Sequence, residues 1–546
     1  MKRKAVAAVL TAVMVASMFT GCGSDNGSSS AKSASAASAA SAANDTVDED
    51  GKVNGIMYQE GLPLVDEGDY TFSIFCDDSS ESGEFIMLDE FKKQTNVDVD
   101  LKIYPYETAT ERLNLDLNSG DYADVIGGWT LSDNAILTYG VNQGVFIPLE
   151  DYFEKYCPNI SAILDLPGVR EKMTAPDGHI YTIPYVCADT TVGYSPYINT
   201  KWLENVGMSM PTTTDEFEAV LKAFKEQDAN GNGDASDEIP FSTDPNNKHI
   251  EAMAGYFGLP MNKLGIAIQN EKVVYGGVSD TYREFLSWFH KLYAEGLVDV
   301  ELYTQDSSTW EGKGNQDLYG VSIAYGSNEF TGIPAAEERG DFDSMPVLNT
   351  DKDGIWLRDT EGFSVYRTQA VITNKAEHPE IICRWFDNAF ALENGIGCNR
   401  GPVGVIVNKE DDGYHAIDTT TLSEEDQEKY SWSNLWPQSL PKYLPADFEF
   451  VEEHPMYDEK KATEEAYEAN LTKEIIPSYW IDLDKIDTFS DTNTAIKDFF
   501  EQQQAQFVCG ELDIDNDADW QAYVDGMYSL GLEDWVATQG IEEIAK

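Results

Sequence analysis

The chain has 546 residues, of which 97 are Asp or Glu and 37 are Lys or Arg, a formal net charge of −60. At about 100–200 residues per domain this length accommodates two to four domains, and with 42% hydrophobic and 12% aromatic residues most of it can bury cores. The charge excludes a general binder of nucleic acid or anionic lipid, because phosphate contacts need Lys/Arg patches and the summed field repels a polyanion.

Lys2, Arg3 and Lys4 precede an apolar run from Ala5 to Phe19. That run is shorter than the roughly 20 residues of a spanning helix and reads as the core of a secretory signal. It ends Phe19-Thr20-Gly21-Cys22, which resembles a bacterial lipobox with Phe19 where Leu is usual. Residues 1–21 are then a lipoprotein signal peptide, and Cys22 carries the lipid (diacylglyceryl and palmitate-like chains). Residues 22–54 are Ser-, Ala- and Gly-rich with almost no large apolar side chain, so they form a disordered tether. No later stretch is apolar enough to span a bilayer. The expectation is a globular domain over 55–546, lipid-anchored at the extracellular face of the cytoplasmic membrane.

Tyr70 to Phe75 reads as a strand, Phe85 to Gln94 as a helix, and the period-two run Val97 to Ile103 as a second strand. This β-α-β start predicts a parallel sheet covered by helices. A helix over about 108–118 leads through Gly120 to a short buried strand at Val125-Ile126. Thr213 and Glu216 form a capping box ahead of a helix to about Gln227, with Phe217, Val220, Leu221 and Phe224 on one face. An amphipathic helix follows over about 281–295, with Gly296 at the position of a C′ glycine. Gly320 to Tyr325 is a strand, and Glu380 to Leu392 a further helix. Trp288 and Trp385 lie on apolar helical faces and are assigned to packing. Beyond Cys22, the six cysteines (76, 157, 187, 383, 398 and 509) form no CxxC pair and read as free thiols, with a Cys383–Cys398 bridge as the alternative.

Several separated segments, in order, resemble family 1 extracellular solute-binding proteins of ABC importers, in the long lipoprotein branch of Gram-positive bacteria. They are 117–126 (LNSGDYADVI), 175–185 (APDGHIYTIPY), 197–203 (YINTKWL), 211–217 (PTTTDEF), 291–299 (KLYAEGLVD), 510–515 (GELDID) and Asp519-Trp520. The resemblance implies an α/β, two-lobe periplasmic-binding-protein-like fold of type II. Its lobes are discontinuous in sequence, joined by a hinge and close on a ligand.

The loop Asp228-Ala-Asn230-Gly-Asn232-Gly233-Asp234 places oxygen side chains at alternate positions ahead of a glycine and an inward carbonyl, the alternation a Ca²⁺ ion needs. It departs from the EF-hand pattern at its twelfth position, Ile239, where no bidentate Glu stands. In the family a similar loop is closed by an Asp-Glu pair before Ile-Pro, here Asp237-Glu238. The expected metal set is thus Asp228, Asn230, Asn232, Asp234, Asp237 and Glu238 around a structural Ca²⁺; a solvated turn is the alternative.

Ligands of open α/β sheets sit at the C-terminal ends of strands. That rule selects Asp77 and Asp78 after the first strand, Trp129 after Val125-Ile126, and Tyr325 and Asn328 after the 320–325 strand. Tyr185 lies where the family's chain approaches the hinge, and Trp310, Arg400 and Trp436 lie in segments of loop character. Flat rings beside Asp, Asn and Arg suit the apolar faces and hydroxyl edges of sugars. No HExxH, GxSxG or Walker-type run is present, and the six His are scattered, so no catalytic residue or catalytic cofactor is expected. The expected function is capture of a sugar, most simply an oligosaccharide, by a monomer that delivers it to ABC permease subunits. An exported carbohydrate-active enzyme and a peptide-binding protein are the alternatives.

Overall fold

In the computed structural model the alternating run after Asn96 forms a strand, as its period demands. The structure describes residues 45–78, 84–245, 249–332, 340–445, 448, 450–451, 455–541 and 543–545. The expected signal sequence and Cys22 lie outside the described residues.

Nine strands build two sheets. They are β1 (Tyr70–Asp77), β2 (Val97–Tyr104), β3 (Val125–Gly127), β4 (Thr182–Ala188), β5 (Ser195–Asn199), β6 (Ile239–Thr243), β7 (Tyr319–Ala324), β8 (Phe342–Ser344) and β9 (Phe363–Ile372). The first sheet has the order β2-β1-β3-β9-β4 and the second the order β8-β5-β7-β6. In the first, β2 and β3 flank β1 in parallel, with Ile74 opposite Val125 and Phe75 opposite Ile126. The β-α-β start is parallel as expected, while β9 runs antiparallel to both β3 and β4, so the sheet as a whole is mixed. The physical reason is its path: β9 re-enters the first sheet from the second, opposite in direction to strands that left it.

The helices used below are α1 (Ile86–Thr95), α2 (Tyr106–Ser119), α3 (Thr214–Glu226), α4 (Asp280–Ala294), α5 (Ser307–Asn315), α6 (Pro379–Ala389), α7 (Leu392–Arg400), α8 (Pro455–Tyr467) and α9 (Ile486–Cys509). On β1 the pleat sends Phe72, Ile74 and Cys76 into a core shared with Met87 and Phe91 of α1 and Trp385 of α6. Phe75 points to the other face, against Leu113 and Leu117 of α2. Trp385 is fully buried, edge-on to Phe72 at 5.3 Å and stacked on Trp436 at 5.6 Å. This sheet and its helices form lobe 1. Lobe 2 packs Phe217 and Phe224 of α3, Phe285 and Phe289 of α4 and Phe500 and Phe507 of α9 around Phe241 of β6 and Val321 of β7.

The caps act as their chemistry dictates. Thr213 accepts the N–H of Glu216 at 3.2 Å. The Glu216 carboxylate reaches one residue further back than the usual box, to Thr212 N at 2.8 Å. Gly296 takes φ +68° and stops α4. The helix expected over 380–392 is α6, which ends at Ala389; Ala391 is extended and separates it from α7.

The tether boundary at 55 is also corrected. The chain already lies against lobe 1 from Asp45, which accepts a hydrogen bond from the Tyr156 hydroxyl at 2.8 Å. Lys52–Val53 pairs with Met57–Tyr58 in a hairpin whose Val53 and Met57 are fully buried. Asn54 donates to Glu380 of α6 at 2.9 Å, and Arg384 donates to Tyr58 O at 2.5 Å. Two apolar anchors and these polar partners hold a segment whose composition reads as linker. Among the described residues no helix is long and apolar enough to cross a membrane. The six described cysteines are free thiols, so Cys383 and Cys398 are not bridged.

Candidate functional site

Two chain segments pass between the lobes side by side. The first leaves β4 at Asp189 and enters β5 at Ser195; the second returns from β8 to β9 through 345–362. Asp189 N donates to Gly362 O at 3.1 Å, and Asp359 N to Thr191 O at 3.0 Å. Gly193 N donates to the Asp359 carboxylate at 2.7 Å, and Thr360 Oγ1 to Thr190 O at 2.9 Å. The polar backbone of the crossing is thus satisfied partly by its own pairing and partly from outside, where Glu464 accepts Thr191 N at 2.6 Å and Thr472 accepts Arg358 N at 3.0 Å.

Aromatic rings gather over this crossing. Tyr185 on β4 and Tyr366 on β9 stack at 5.5 Å, a pairing set by their opposition in the ladder. Trp129 stands edge-on to Tyr366 at 5.2 Å. Lys442 Nζ lies 5.3 Å from the Tyr185 ring and 5.8 Å from the Trp432 ring, within cation–π range of both. From lobe 2, Tyr325 at the end of β7 donates its hydroxyl to Asp189 at 3.2 Å, and Lys460 of α8 lies 3.6 Å over its ring. Trp129 is 44% exposed and Trp432 52% exposed, whereas Trp202, Trp356, Trp385 and Trp436 are fully buried. Two indoles left in solvent beside three tyrosines are the feature that core packing does not explain.

Asp77 and Asp78, expected to meet ligand, are buried and already engaged. Asp77 accepts the backbone N–H of Trp129 at 2.9 Å and of Thr130 at 2.5 Å, along with the Thr130 hydroxyl. Gly128 takes φ +134° with that carboxylate against its Cα, where a Cβ would collide. Asp77 thus aims the Trp129 loop. Asp78 accepts the N–H of Gln438 at 2.7 Å and fixes the loop that carries Lys442. Trp310 and Trp436 are corrections. Trp310 packs against Phe330 and spends its indole N–H on Ser322 at 3.1 Å, and Trp436 sits 5.1 Å from Phe91 in the lobe 1 core. Both are apolar faces of elements that sequence periodicity was too short to show. Arg400 closes α7, donates to Asn399 O at 3.2 Å, and its charge reaches Tyr185 and Lys442. Asn328 is half-buried at the start of the turn after Tyr325, beside Ser327, whose N–H donates to Glu459 at 2.9 Å.

Of the expected set, Trp129, Tyr185 and Tyr325 meet at the crossing and the Arg400 charge reaches Tyr185, while Asn328 lies three residues past Tyr325. The structure adds Asp189, Tyr366, Trp432, Lys442 and Lys460. Asp189 follows the strand rule already applied to Asp77 and was legible by it; Lys442, Trp432 and Lys460 carry no sequence signal.

Burial sets the charges. It lowers Lys442 and Lys460 to about 8 each. It raises Asp359 to about 6 in spite of the Gly193 N–H, and Glu329, whose carboxylate accepts Tyr325 N, to about 7. It also raises Tyr325 and Tyr366, so both hydroxyls stay protonated donors.

The 228–238 loop curls tightly, with Gly231 at φ +75° and Gly233 at φ +96°. The side-chain oxygens of Asp228, Asn230, Asn232 and Asp234 each accept a backbone N–H two to five residues on, which turns the loop inward. The amide groups of Asn230 and Asn232 converge on Asp237 at 3.3 and 2.8 Å, and Glu238 Oε2 is buried with no hydrogen-bond partner. Burial raises the Glu238 carboxyl. The two amide N–H donors stand on the Asp237 oxygens where a cation would, and the Glu238 oxygen without a partner is the ligand atom such a cation would satisfy. Glu410, Asp412 and His415, not foreseen as a group, bring ligand atoms within 4.8 Å on the Val407–Ala416 hairpin, where His415 already pairs with Asp412 at 2.9 Å.

The family model for bacterial extracellular solute-binding proteins matches residues 78–395. The fructooligosaccharide ABC transporter substrate-binding protein FusA of Streptococcus pneumoniae serotype 4 is 31% identical over 411 residues, covering 73% of this chain and 70% of FusA. The structure of S. pneumoniae FusA in complex with kestose superposes with a TM-score of 0.75 at 26% identity, over 86% of this chain and 98% of that one. A FusA EF-hand mutant in complex with fructo-nystose gives 0.74 at the same identity and coverage. The chain belongs to the bacterial extracellular solute-binding protein family, and its fold is the type II periplasmic-binding-protein-like fold.

A pH dependence follows from Glu329. Its carboxyl holds a proton up to about 7 in the folded chain, against an ordinary value of 4.5. That contribution favours the fold fully below about 4.5 and is lost as pH rises through about 7. Glu329→Gln should remove this decline, worth at most about 3 kcal/mol. Melting temperatures of the two proteins should converge at low pH and separate in favour of the variant above neutrality; parallel curves would show that Glu329 ionises freely.

Proposed function

We propose that this chain is the substrate-binding subunit of an ABC importer and captures an oligosaccharide between its lobes. The observation that carries this reading is the ring cluster over the paired crossing segments, with the exposed indoles of Trp129 and Trp432. Sugar rings present apolar faces that stack on such surfaces, while hydroxyl edges take hydrogen bonds from Lys, Arg, Asn and Tyr groups. Trp129, Tyr185, Tyr366 and Trp432 form the stacking surface, and Tyr325, Asn328, Arg400 and Lys460 supply polar contacts. The similarity to FusA, whose name and complexes specify fructooligosaccharides, supports a cargo of short oligosaccharides. Closure is productive only where cargo prefers the closed arrangement, and that preference couples capture to delivery at the permease. The chain needs no catalytic step for this role, and the membership of a binding-protein family argues against the carbohydrate-active enzyme.

Two further features belong to the same reading. The loop of Asp228, Asn230, Asn232, Asp234, Asp237 and Glu238 holds a structural Ca²⁺, supported by the unpartnered Glu238 oxygen and by the EF-hand of FusA. Neutralising the carboxylates of Asp237 and Glu238 would stiffen the link between α3 and β6. The chain is held at the outer face of the cytoplasmic membrane through lipid on Cys22.

Cargo capture is tested by thermal shift against kestose-type fructooligosaccharides and a peptide panel. Sugar at 100-fold over Kd should add about 2.7 kcal/mol of stability without turnover, and Trp129→Ala should weaken binding at least about tenfold with little loss of melting temperature. Sugar hydrolysis, or a shift with peptides alone, would overturn it. For calcium, chelation should lower the melting temperature by several degrees, and Asp237→Ala should abolish that response; equal melting in chelator and in Ca²⁺ would sink the site. For the anchor, Cys22→Ala should move the protein from the membrane fraction to the medium. Retention of that variant on the membrane would refute lipidation.

A further inference from the structure

One carboxylate ties the two lobes to the same point. Asp189 is the first residue past β4, at the start of the crossing segment. Its Oδ2 accepts the hydroxyl of Tyr366, on the returning strand β9 of lobe 1, at 3.1 Å. Its Oδ1 accepts the hydroxyl of Tyr325, at the end of β7 in lobe 2, at 3.2 Å, and the N–H of Thr190 at 2.8 Å. Each phenol is itself fixed on its far side. Tyr366 is bracketed by Tyr185 and by the exposed Trp129. Tyr325 is bound through its backbone to Glu329 at 2.9 Å and lies under Lys460, whose Nζ donates to Gly193 O at 3.1 Å within the same crossing segment.

We propose that Asp189 is a positioning residue that sets the interlobe angle by bridging Tyr366 and Tyr325, and that it passes cargo contact at Trp129 on to lobe 2. The second half of this statement rests on the reading of the chain as an oligosaccharide-binding protein; the first half does not. The physical ground is geometric. A hydrogen-bonded carboxylate with one phenol on each lobe has few rotamers that satisfy both, so a rotation about the crossing strands must lengthen at least one bond. A displacement of Trp129 tilts Tyr366, which shares the carboxylate with Tyr325. Neither phenol needs to touch cargo for the coupling to operate, and Asp189 itself acts through them.

The test reads lobe geometry and cargo affinity separately, in the purified protein with Cys187→Ser in every variant. Spin labels on Cys509, exposed in lobe 2, and on Leu115→Cys, 59% exposed on α2 of lobe 1, report an interlobe distance by pulsed electron resonance. Without cargo, Asp189→Ala should broaden that distance distribution. Tyr325→Phe and Tyr366→Phe, which keep ring shape and packing, should each reproduce the broadening. Tyr325→Phe added to Asp189→Ala should add nothing, because Asp189→Ala already removes the hydrogen bond that Tyr325→Phe would break. With kestose, each of these variants should bind at least about tenfold more weakly while melting within a few degrees of the unmodified protein. An unchanged distribution in Asp189→Ala and both phenylalanine variants, or additive effects in the double variant, would overturn the proposal. Absence of kestose binding by the unmodified protein would count against the cargo reading and the Trp129 link, while the cargo-free distances still decide whether Asp189 sets the angle.

Discussion

The structure depends on the antiparallel pairing of two crossing segments, 188–193 and 358–363. A backbone that passes between two packed lobes leaves its own sheets and must find hydrogen-bond partners where few exist. Here the outgoing and returning strands supply one another in part, and the side chains of Asp359, Thr360, Glu464, Lys460 and Thr472 supply further partners. That solution dictates much else. It forces β9 to enter lobe 1 antiparallel to its neighbours, and it sets Tyr366 opposite Tyr185 in the ladder. It also brings the C-terminal ends of β4 and β7 to one place, so that rings from both lobes face the same carboxylate.

Electrostatics in this protein is divided by depth. The excess of acids lies at the surface, where water and salt screen it and where many carboxylates sit beside a lysine or arginine. Near the crossing the situation differs, because Lys442 and Lys460 are buried with their charges close to rings and carbonyls. Aromatic faces and one or two acceptors replace the lost hydration only in part, which is why both ammonium groups are easier to deprotonate than usual. Glu329 and Asp359 respond to the same burial in the opposite sense.

How far these features could be read in advance follows from the range of the forces involved. Strands at 70–77 and 97–104 and the helix capped by Thr213 were legible because period and cap chemistry act within a few residues. The direction of β9 was not, since it depends on a crossing set by residues far away in sequence. Trp129 and Trp436 look alike in the sequence, each in a short segment. One is half exposed because Asp77 and Gly128 turn its loop outward; the other is buried because α6 lays Trp385 over it. The carboxylates at 77 and 78 were selected correctly as strand-end groups but serve to hold loops rather than to face solvent. The 228–238 loop was legible as a pattern of oxygens, while the partnerless state of one Glu238 oxygen needed coordinates.

The N-terminal hairpin has a mechanical side. Asp45, Val53, Met57 and Tyr58 all dock on lobe 1, against Tyr156 and α6, and the hairpin makes its contacts far from the α3–α4–α9 core of lobe 2. Tension applied through the residues before Asp45 therefore enters a single lobe and is spread there over two buried side chains and several hydrogen bonds. The other lobe meets that load only through the segments that join the two, among them the start of α9, whose Ile486 packs with Phe75 of lobe 1 and whose Ser490 accepts a hydrogen bond from Asn134 at 3.1 Å.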